Sequence, residues 1–285
     1  MIKNLLEKLA YLNLIISLGA VSIAYLVVSL LSFHSDFIMY LVCFLVSMFV
    51  YSFNRFTDIK EDMINNPERV KFFKKFKYYF FISSLISFLL VTFTTLLHSF
   101  LTFLVSVLPI VLVILYSKPW LPNKISFYSR LKEIFFIKNL VVSTGWSLIP
   151  FFVAVYTNSF HIGIFFISIF VFLRIFIGVI IFDVRDMKGD KIHNIFSIPL
   201  KLGLAKTKSI LHVLNLLSVI ILFLGILYGL NMISTILVGL FAFFMGLLYI
   251  YVIGKDIDIK FFCNVIVDGE YVMLGAIPFI LKLLG

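Results

Sequence analysis

The sequence predicts an all-α protein that crosses a lipid bilayer nine times, and three observations carry that prediction. Hydrophobic residues make up 62% of the 285 positions while charged residues make up 13%, about half the charged share of an ordinary water-soluble domain. The apolar residues, including 35 Phe, run in long continuous stretches, so they clothe helices all round rather than one face. In lipid only helices and closed barrels satisfy the backbone, and runs near 20 residues mean helices. Finally, the cations fall on alternate connections. A secreted disulfide scaffold, a disordered chain and a nucleic-acid module are excluded by the same composition.

The first stretch, at about 11–33, is longer than the apolar part of a signal peptide and lacks a small-residue cleavage site, so it is expected to stay in the mature protein. The next spans are expected at about 37–53, 78–97, 100–116, 135–156, 160–182, 209–229, 232–252 and 267–284. Connections around Ser35, Ser99, Asn158 and Asn231 carry no Lys or Arg. The others carry Lys3 and Lys8; seven cations from Arg55 to Lys77; Lys118, Lys124, Arg130 and Lys132; six from Arg185 to Lys208; and Lys255 and Lys260. Twenty-one of the 24 Lys and Arg thus lie on one side. The positive-inside rule then puts the N-terminus and long loops in the cytoplasm and the C-terminus outside a cell membrane. The net charge of +10 is mainly topology, and no nucleic-acid partner is implied. Lys138, a turn inside the fifth span, is expected to snorkel. Arg174 lies nine residues before Asp183, about 13.5 Å deep along a helix, and is either a buried structural pair or a group pointing into a central cavity. Cys43 and Cys263 read as small core residues.

Two acidic clusters follow the second and sixth spans, on the cytoplasmic side. In Asn54-Arg55-Phe56-Thr57-Asp58-Ile59-Lys60-Glu61-Asp62, a helix continuing past the membrane would put Asn54, Asp58 and Asp62 on one face. In Asp183-Val184-Arg185-Asp186-Met187-Lys188-Gly189-Asp190 the three Asp also share a face. Stacked carboxylates repel one another unless a cation joins them. Hard oxygen ligands in this number suit Mg²⁺, which completes its octahedron with water and phosphate oxygens. Solvated loop carboxylates balancing Arg and Lys are the alternative. Asp58, Asp62, Asp183, Asp186 and Asp190 are five of the 14 acids of the chain, and two facing metal sites make a clamp for a diphosphate.

These residues resemble the UbiA family of intramembrane prenyltransferases, whose members carry N-[D/Q]-x-x-D-x-x-x-D after the second of nine helices and D-x-x-D-x-x-x-D after the sixth. Ile64-Asn65-Asn66-Pro67-Glu68-Arg69, Gly189-Asp190-Lys191, Ser197-Ile198-Pro199-Leu200-Lys201-Leu202-Gly203, Leu115-Tyr116-Ser117, Leu131-Lys132 and Lys138-Asn139-Leu140-Val141-Val142 are similar to further family segments, as is Asn13. The chain departs from the family at Arg55, where an acid or amide is usual; at Tyr11-Leu12 in place of Arg-Pro; at Phe196 in place of a basic residue; and in a longer segment containing Pro119 and Pro122.

The resemblance implies one prenyltransferase domain spanning 1–285, in two Asp-motif halves of about 1–130 and 131–285. Its nine helices would surround a cavity open to the cytoplasm and laterally to lipid. It also implies an isoprenyl diphosphate donor, a hydrophobic or aromatic acceptor, and two Mg²⁺ ions bridging the diphosphate. Asn54, Asp58, Asp62, Asp183, Asp186 and Asp190 are then expected to hold the metals. Arg69, Lys132, Lys191, Arg55 and Tyr116 are expected to meet the diphosphate. Cytoplasmic anchoring is the alternative for the basic residues, and an interfacial belt for Tyr116. An ion-coupled transporter is disfavoured because its carboxylates belong near the midplane. A CDP-alcohol phosphotransferase is disfavoured because its acids share a single motif.

Overall fold

The computed structural model describes residues 2–118, 130, 133–192 and 195–284. Among them there are helices and no strands, and nine helical segments are long and apolar enough to span a membrane. After a short amphipathic helix α1 (Ile2–Tyr11) come α2 (Leu14–Leu31) and α3 (Phe37–Thr57), then two short helices, α4 (Ile59–Asn65) and α5 (Pro67–Lys75). The spans resume with α6 (Lys77–His98), α7 (Phe100–Ser117), α8 (Ile137–Tyr156), α9 (Gly163–Ile192), α10 (Ile198–Leu224) and α11 (Met232–Val252). A single turn α12 (Ile259–Phe261) and a π-helical segment Phe262–Val267 lead into α13 (Asp268–Leu284).

Local chemistry sets the outer turns. Asp36, Ser99 and Asn231 each cap the next helix, accepting from the backbone N–H of Met39 at 2.8 Å, Thr102 at 3.1 Å and Ser234 at 3.0 Å, which satisfies donors that a helix start leaves bare. On the other side, Asn13 adopts φ 63° and separates α1 from α2, while Pro67 starts α5 where its missing N–H costs nothing. Lys3 Nζ reaches Asp258 at 2.7 Å and ties α1 to the loop before α12; that hydrogen bond holds the Asp258 carboxyl below its ordinary range.

Burial ranks the helices. The apolar window of α9 is 78% buried and that of α6 is 22% buried, so α9 is the central pillar and α6 faces lipid. The α2–α13 pair packs closely because glycine lets the backbones meet: a Cβ on Gly275 would collide with the Ser22 backbone.

The expected spans are all present, with two changed limits. The sixth helix runs on to Ile192 with Asp183, Asp186 and Asp190 buried on it, and the seventh span is preceded by a short helical stretch that starts at Ile198 and breaks at Gly203 (φ 77°, ψ 163°). The first motif does not continue one straight helix. Asp58 (φ −107°, ψ 14°) separates α3 from α4, although Asp58 N–H still donates to the Asn54 carbonyl at 3.0 Å and Asp62 N–H to the Asp58 carbonyl at 2.9 Å. The chain therefore bends at the motif and keeps its three polar side chains one turn apart.

Arg174 is fully buried and turned away from the cavity that α2, α3, α7 and α8 line. Its Nε donates to Glu270 Oε1 at 2.8 Å and its Nη1 to Asn215 Oδ1 at 2.7 Å, while the Tyr249 hydroxyl donates to Glu270 Oε2 at 2.5 Å. This settles the alternatives for Arg174: it is the structural pair, and the reading that it points into the central cavity is wrong. The network bolts α9, α10, α11 and α13 together. Removing one member of a buried ion pair strands the other charge, at about 3–5 kcal/mol. Arg174→Met should lower the thermal unfolding midpoint in detergent sharply, and Arg174→Met/Glu270→Met should recover much of the loss.

Candidate active site

Two helical strips meet on the charged side of the bundle. From α3 and α4 come Asn54, Asp58 and Asp62, all half-buried; from α9 come Asp183, Asp186 and Asp190, at 0%, 8% and 3% exposure. The side chain of Asn65, at the end of α4, clips the strips together by accepting from the Gly189 N–H at 2.9 Å. Only glycine leaves room there, since a Cβ at 189 would run into the Asn65 amide.

Burying carboxylates demands partners. Asp183 receives Lys138 Nζ at 2.7 Å and Asn139 Nδ2 at 3.0 Å. Asp186 receives Arg185 Nε at 2.7 Å and Nη2 at 2.6 Å, and Arg185 also donates to Asn264 Oδ1 at 2.9 Å. Asp62 is paired with Arg69, with Arg55 Nη1 at 3.9 Å. The Thr57 hydroxyl donates to Asp58 Oδ1 at 2.9 Å, and the Ser117 hydroxyl to Asn54 Oδ1 at 3.2 Å. Asp190 Oδ2 is buried with no hydrogen-bond partner.

Of the residues expected to meet a diphosphate, Arg69 and Tyr116 lie at the strips. Tyr116 is 5% exposed and within electrostatic reach of Lys138, Asp58, Asp183 and Asp190, which is not the setting of an interfacial belt residue. Arg55 turns to Asn13, its Nη2 donating to Oδ1 at 2.8 Å. Lys191 is exposed at the end of α9, and Lys132 lies outside the described residues. Lys138 does not snorkel away: Asp183 holds it. Lys138 and Asn65 acquire their importance from partners 45 and 124 residues away, so no local spacing could reveal them, whereas Arg185 holds its neighbour Asp186 and reaches Asn264 as well.

Beside Asn54 a cavity of about 120 Å³ opens between α2, α3, α7 and α8. Asn54 and Tyr116 stand among its lining residues, with Ser47 and Ser106, and the walls are otherwise mainly apolar and aromatic, including Tyr51, Val105, Trp146 and Phe152. Trp146 Nε1 donates to the Tyr51 hydroxyl at 3.0 Å, which spares a buried N–H inside that wall.

Among the described residues no three His, Cys, Asp or Glu converge closely enough to close a metal site alone. The donor set nevertheless fits a hard divalent cation: carboxylate and amide oxygens, with Asp190 Oδ2 buried and unsatisfied.

The family model for the UbiA prenyltransferase family matches residues 13–264. The chain belongs to the UbiA prenyltransferase family. Among solved UbiA-like structures, the apo form of a UbiA homolog from Aeropyrum pernix K1 aligns with a TM-score of 0.72 at 16% identity, covering 94% of this chain and 98% of that one. A UbiA homolog from Archaeoglobus fulgidus, solved bound to GPP and Mg²⁺, aligns at 0.67 and 14% identity, over 95% and 99%. A digeranylgeranylglyceryl phosphate synthase aligns at 0.57 and 21% identity, over 100% and 99%. No curated protein matches. At such identities the structural likeness speaks for the fold, and the family match identifies the chain as a multi-pass membrane prenyltransferase.

In this UbiA protein Asn65 is the joint between the strips. Asn65→Ala would remove the hydrogen bond that ties α4 to the Gly189 N–H, a loss of about 0.5–1.5 kcal/mol. Faster hydrogen exchange confined to α4, α5 and the end of α9 is the expected result.

Proposed function

We propose that the protein is a Mg²⁺-dependent integral-membrane prenyltransferase that ionises an isoprenyl diphosphate and passes the prenyl chain to a hydrophobic or aromatic acceptor, releasing diphosphate. One observation carries the reading: Asn54 of the first strip and Tyr116 line an apolar cavity, and Tyr116 is within electrostatic reach of Asp58, Asp183 and Asp190. A hydrocarbon tail fits the apolar chamber, and its diphosphate head is left beside six oxygen-bearing side chains. The Archaeoglobus homolog bound to GPP and Mg²⁺ supports the same pairing of ligands here.

Asn54, Asp58, Asp62, Asp183, Asp186 and Asp190 would hold the metal ions, two of them bridging the diphosphate. When bound, such ions supply positive charge against which the leaving diphosphate develops its own. Arg69 and Lys138 bring fixed cations to the same place, and Lys132 and Lys191 belong to the proposed diphosphate set by sequence. Tyr116 presents an aromatic face at the mouth, where a carbocation would gain from it. Trp146, Tyr51 and Phe152 exclude the water that would quench that cation. Arg55, held by Asn13, supports the Asp62 side of the strip.

The cation distribution supports a cytoplasmic N-terminus, catalytic strips at the cytoplasmic face and an outer C-terminus. It also supports reading 1–285 as one catalytic domain, with the cavity open to the cytoplasm and to lipid.

Purified protein in detergent should convert geranyl diphosphate only with Mg²⁺. Asp58→Ala and Asp186→Ala should each lower turnover by about a hundredfold or more while leaving insertion intact; normal turnover in either would refute the clamp. Gly145 lines the cavity and has open space around it. Gly145→Phe should therefore reduce kcat/KM for long prenyl diphosphates far more than for dimethylallyl diphosphate, as read from paired steady-state assays.

A further inference from the structure

The cavity has a polar end and an apolar end. Its lining runs on α3 from Asn54 to Val42, on α7 from Tyr116 to Val105 and on α8 from Val141 to Phe152. Eleven residues separate the two ends on α7 and again on α8, about 16 Å along a helix. Asn54 and Tyr116 belong to the acidic end. Val42, Val105 and Phe152 stand at the other, too far away to touch the metals or the diphosphate.

Behind Phe152, one turn further along α8, lies a cluster that the chemistry of the strips does not use. Tyr156 is buried, with its ring 5.8 Å from that of Phe152. Its hydroxyl donates to Asp36 Oδ1 at 3.1 Å and Oδ2 at 3.0 Å, and its ring stacks on His98 at 4.0 Å. Both partners are themselves anchored. Asp36 caps α3 through the Met39 N–H at 2.8 Å, and His98 Nδ1 lies 3.1 Å from Thr102 Oγ1. One phenol thus ties together the ends of α3, α6, α7 and α8. A Phe ring backed by loose side chains could turn aside, whereas Phe152, itself 5% exposed, backs onto a ring held at its hydroxyl and by stacking.

We propose that Phe152 is the floor of the donor cavity and sets the longest prenyl chain the protein accepts, with Tyr156 as the positioning residue that keeps the floor in place. The inference rests on the prenyl-transfer reading above. Because the strips fix the diphosphate at one end, each added isoprenyl unit advances the tail toward Phe152. Until the tail arrives there, every unit buries more apolar surface and tightens binding. Beyond that length a further unit must displace a packed ring, and affinity falls. Phe→Ala removes a phenyl ring, one carbon more than an isoprenyl unit brings, so the vacated space fits one unit more.

The test measures by calorimetry in detergent, with Mg²⁺, the binding of prenyl S-thiolodiphosphates from dimethylallyl to geranylfarnesyl. Wild type is compared with Phe152→Ala, Val105→Phe and Tyr156→Phe, each checked for a cooperative thermal transition. Wild-type affinity should rise with chain length to an optimum and then fall. Phe152→Ala should move the optimum one unit longer, raising the preference for that donor over the wild-type optimum about tenfold or more. Phe152→Leu should move it the same way by less, and serves if the Ala variant does not fold. Val105→Phe fills the same end from α7 and should shift the preference toward shorter donors. Tyr156→Phe should relax the rejection of over-long donors, whereas a merely structural role would weaken all donors by one factor and would overturn its part as positioning residue. An optimum that stays in place when Phe152 is shortened and Val105 enlarged overturns the proposal. So does a wild type whose affinity keeps rising through the longest donor, since its chain then leaves between helices. A wild type that binds no member of the series with Mg²⁺ overturns the proposed function itself, and this inference with it.

Discussion

A charge cannot be left alone in a protein solvated mostly by lipid, and the architecture follows from that constraint. An unpaired ion at low dielectric costs several kcal/mol, so each acid drawn toward the bundle must bring its partner. Asp183 brings Lys138 and Asn139 from α8, Asp186 brings Arg185 from its own helix, and Asp62 brings Arg69 across the α4–α5 corner. These pairings decide how α4, α5, α8 and α9 sit against one another. The site is thus a set of compensated charges before it is a place for chemistry.

The central helix α9 carries two such sets. Deep in the bundle Arg174 is held by Glu270 and Asn215, and a buried network of this kind stiffens the helices that share it. About two and a half to four and a half turns further on, Asp183, Asp186 and Asp190 line the same helix toward its end, and Asp190 Oδ2 is unsatisfied. The first set fixes the pillar; the second is presented on it.

Much of this was legible in the chain. Nine apolar runs announced nine spans, because lipid leaves the helix no other solution. The Asp spacings announced the strips, because side chains three and four apart share a face. What hydropathy could not show was where helices stop. It reports the length facing lipid, whereas α9 continues to Ile192 with its three Asp buried, and a short helical stretch from Ile198, broken at Gly203, precedes the seventh span. The bend at Asp58 was hidden for a similar reason: the residues on either side read as one continuous helix. Partners were hidden most completely. Lys138 was expected to snorkel and Asn65 stood out only as part of a segment similar to the family's, since each takes its meaning from residues distant in sequence.

The central claim is that the strips and the apolar cavity form one site for one amphiphilic ligand. A structure of the protein with Mg²⁺ and geranyl S-thiolodiphosphate, which ionises far more slowly than the substrate, tests it directly. The account predicts diphosphate density between Asp58 and Asp62 on one side and Asp183, Asp186 and Asp190 on the other, with the geranyl chain running past Tyr116 between Tyr51 and Trp146. A diphosphate bound away from either strip, or a chain lying outside the cavity of α2, α3, α7 and α8, would contradict it.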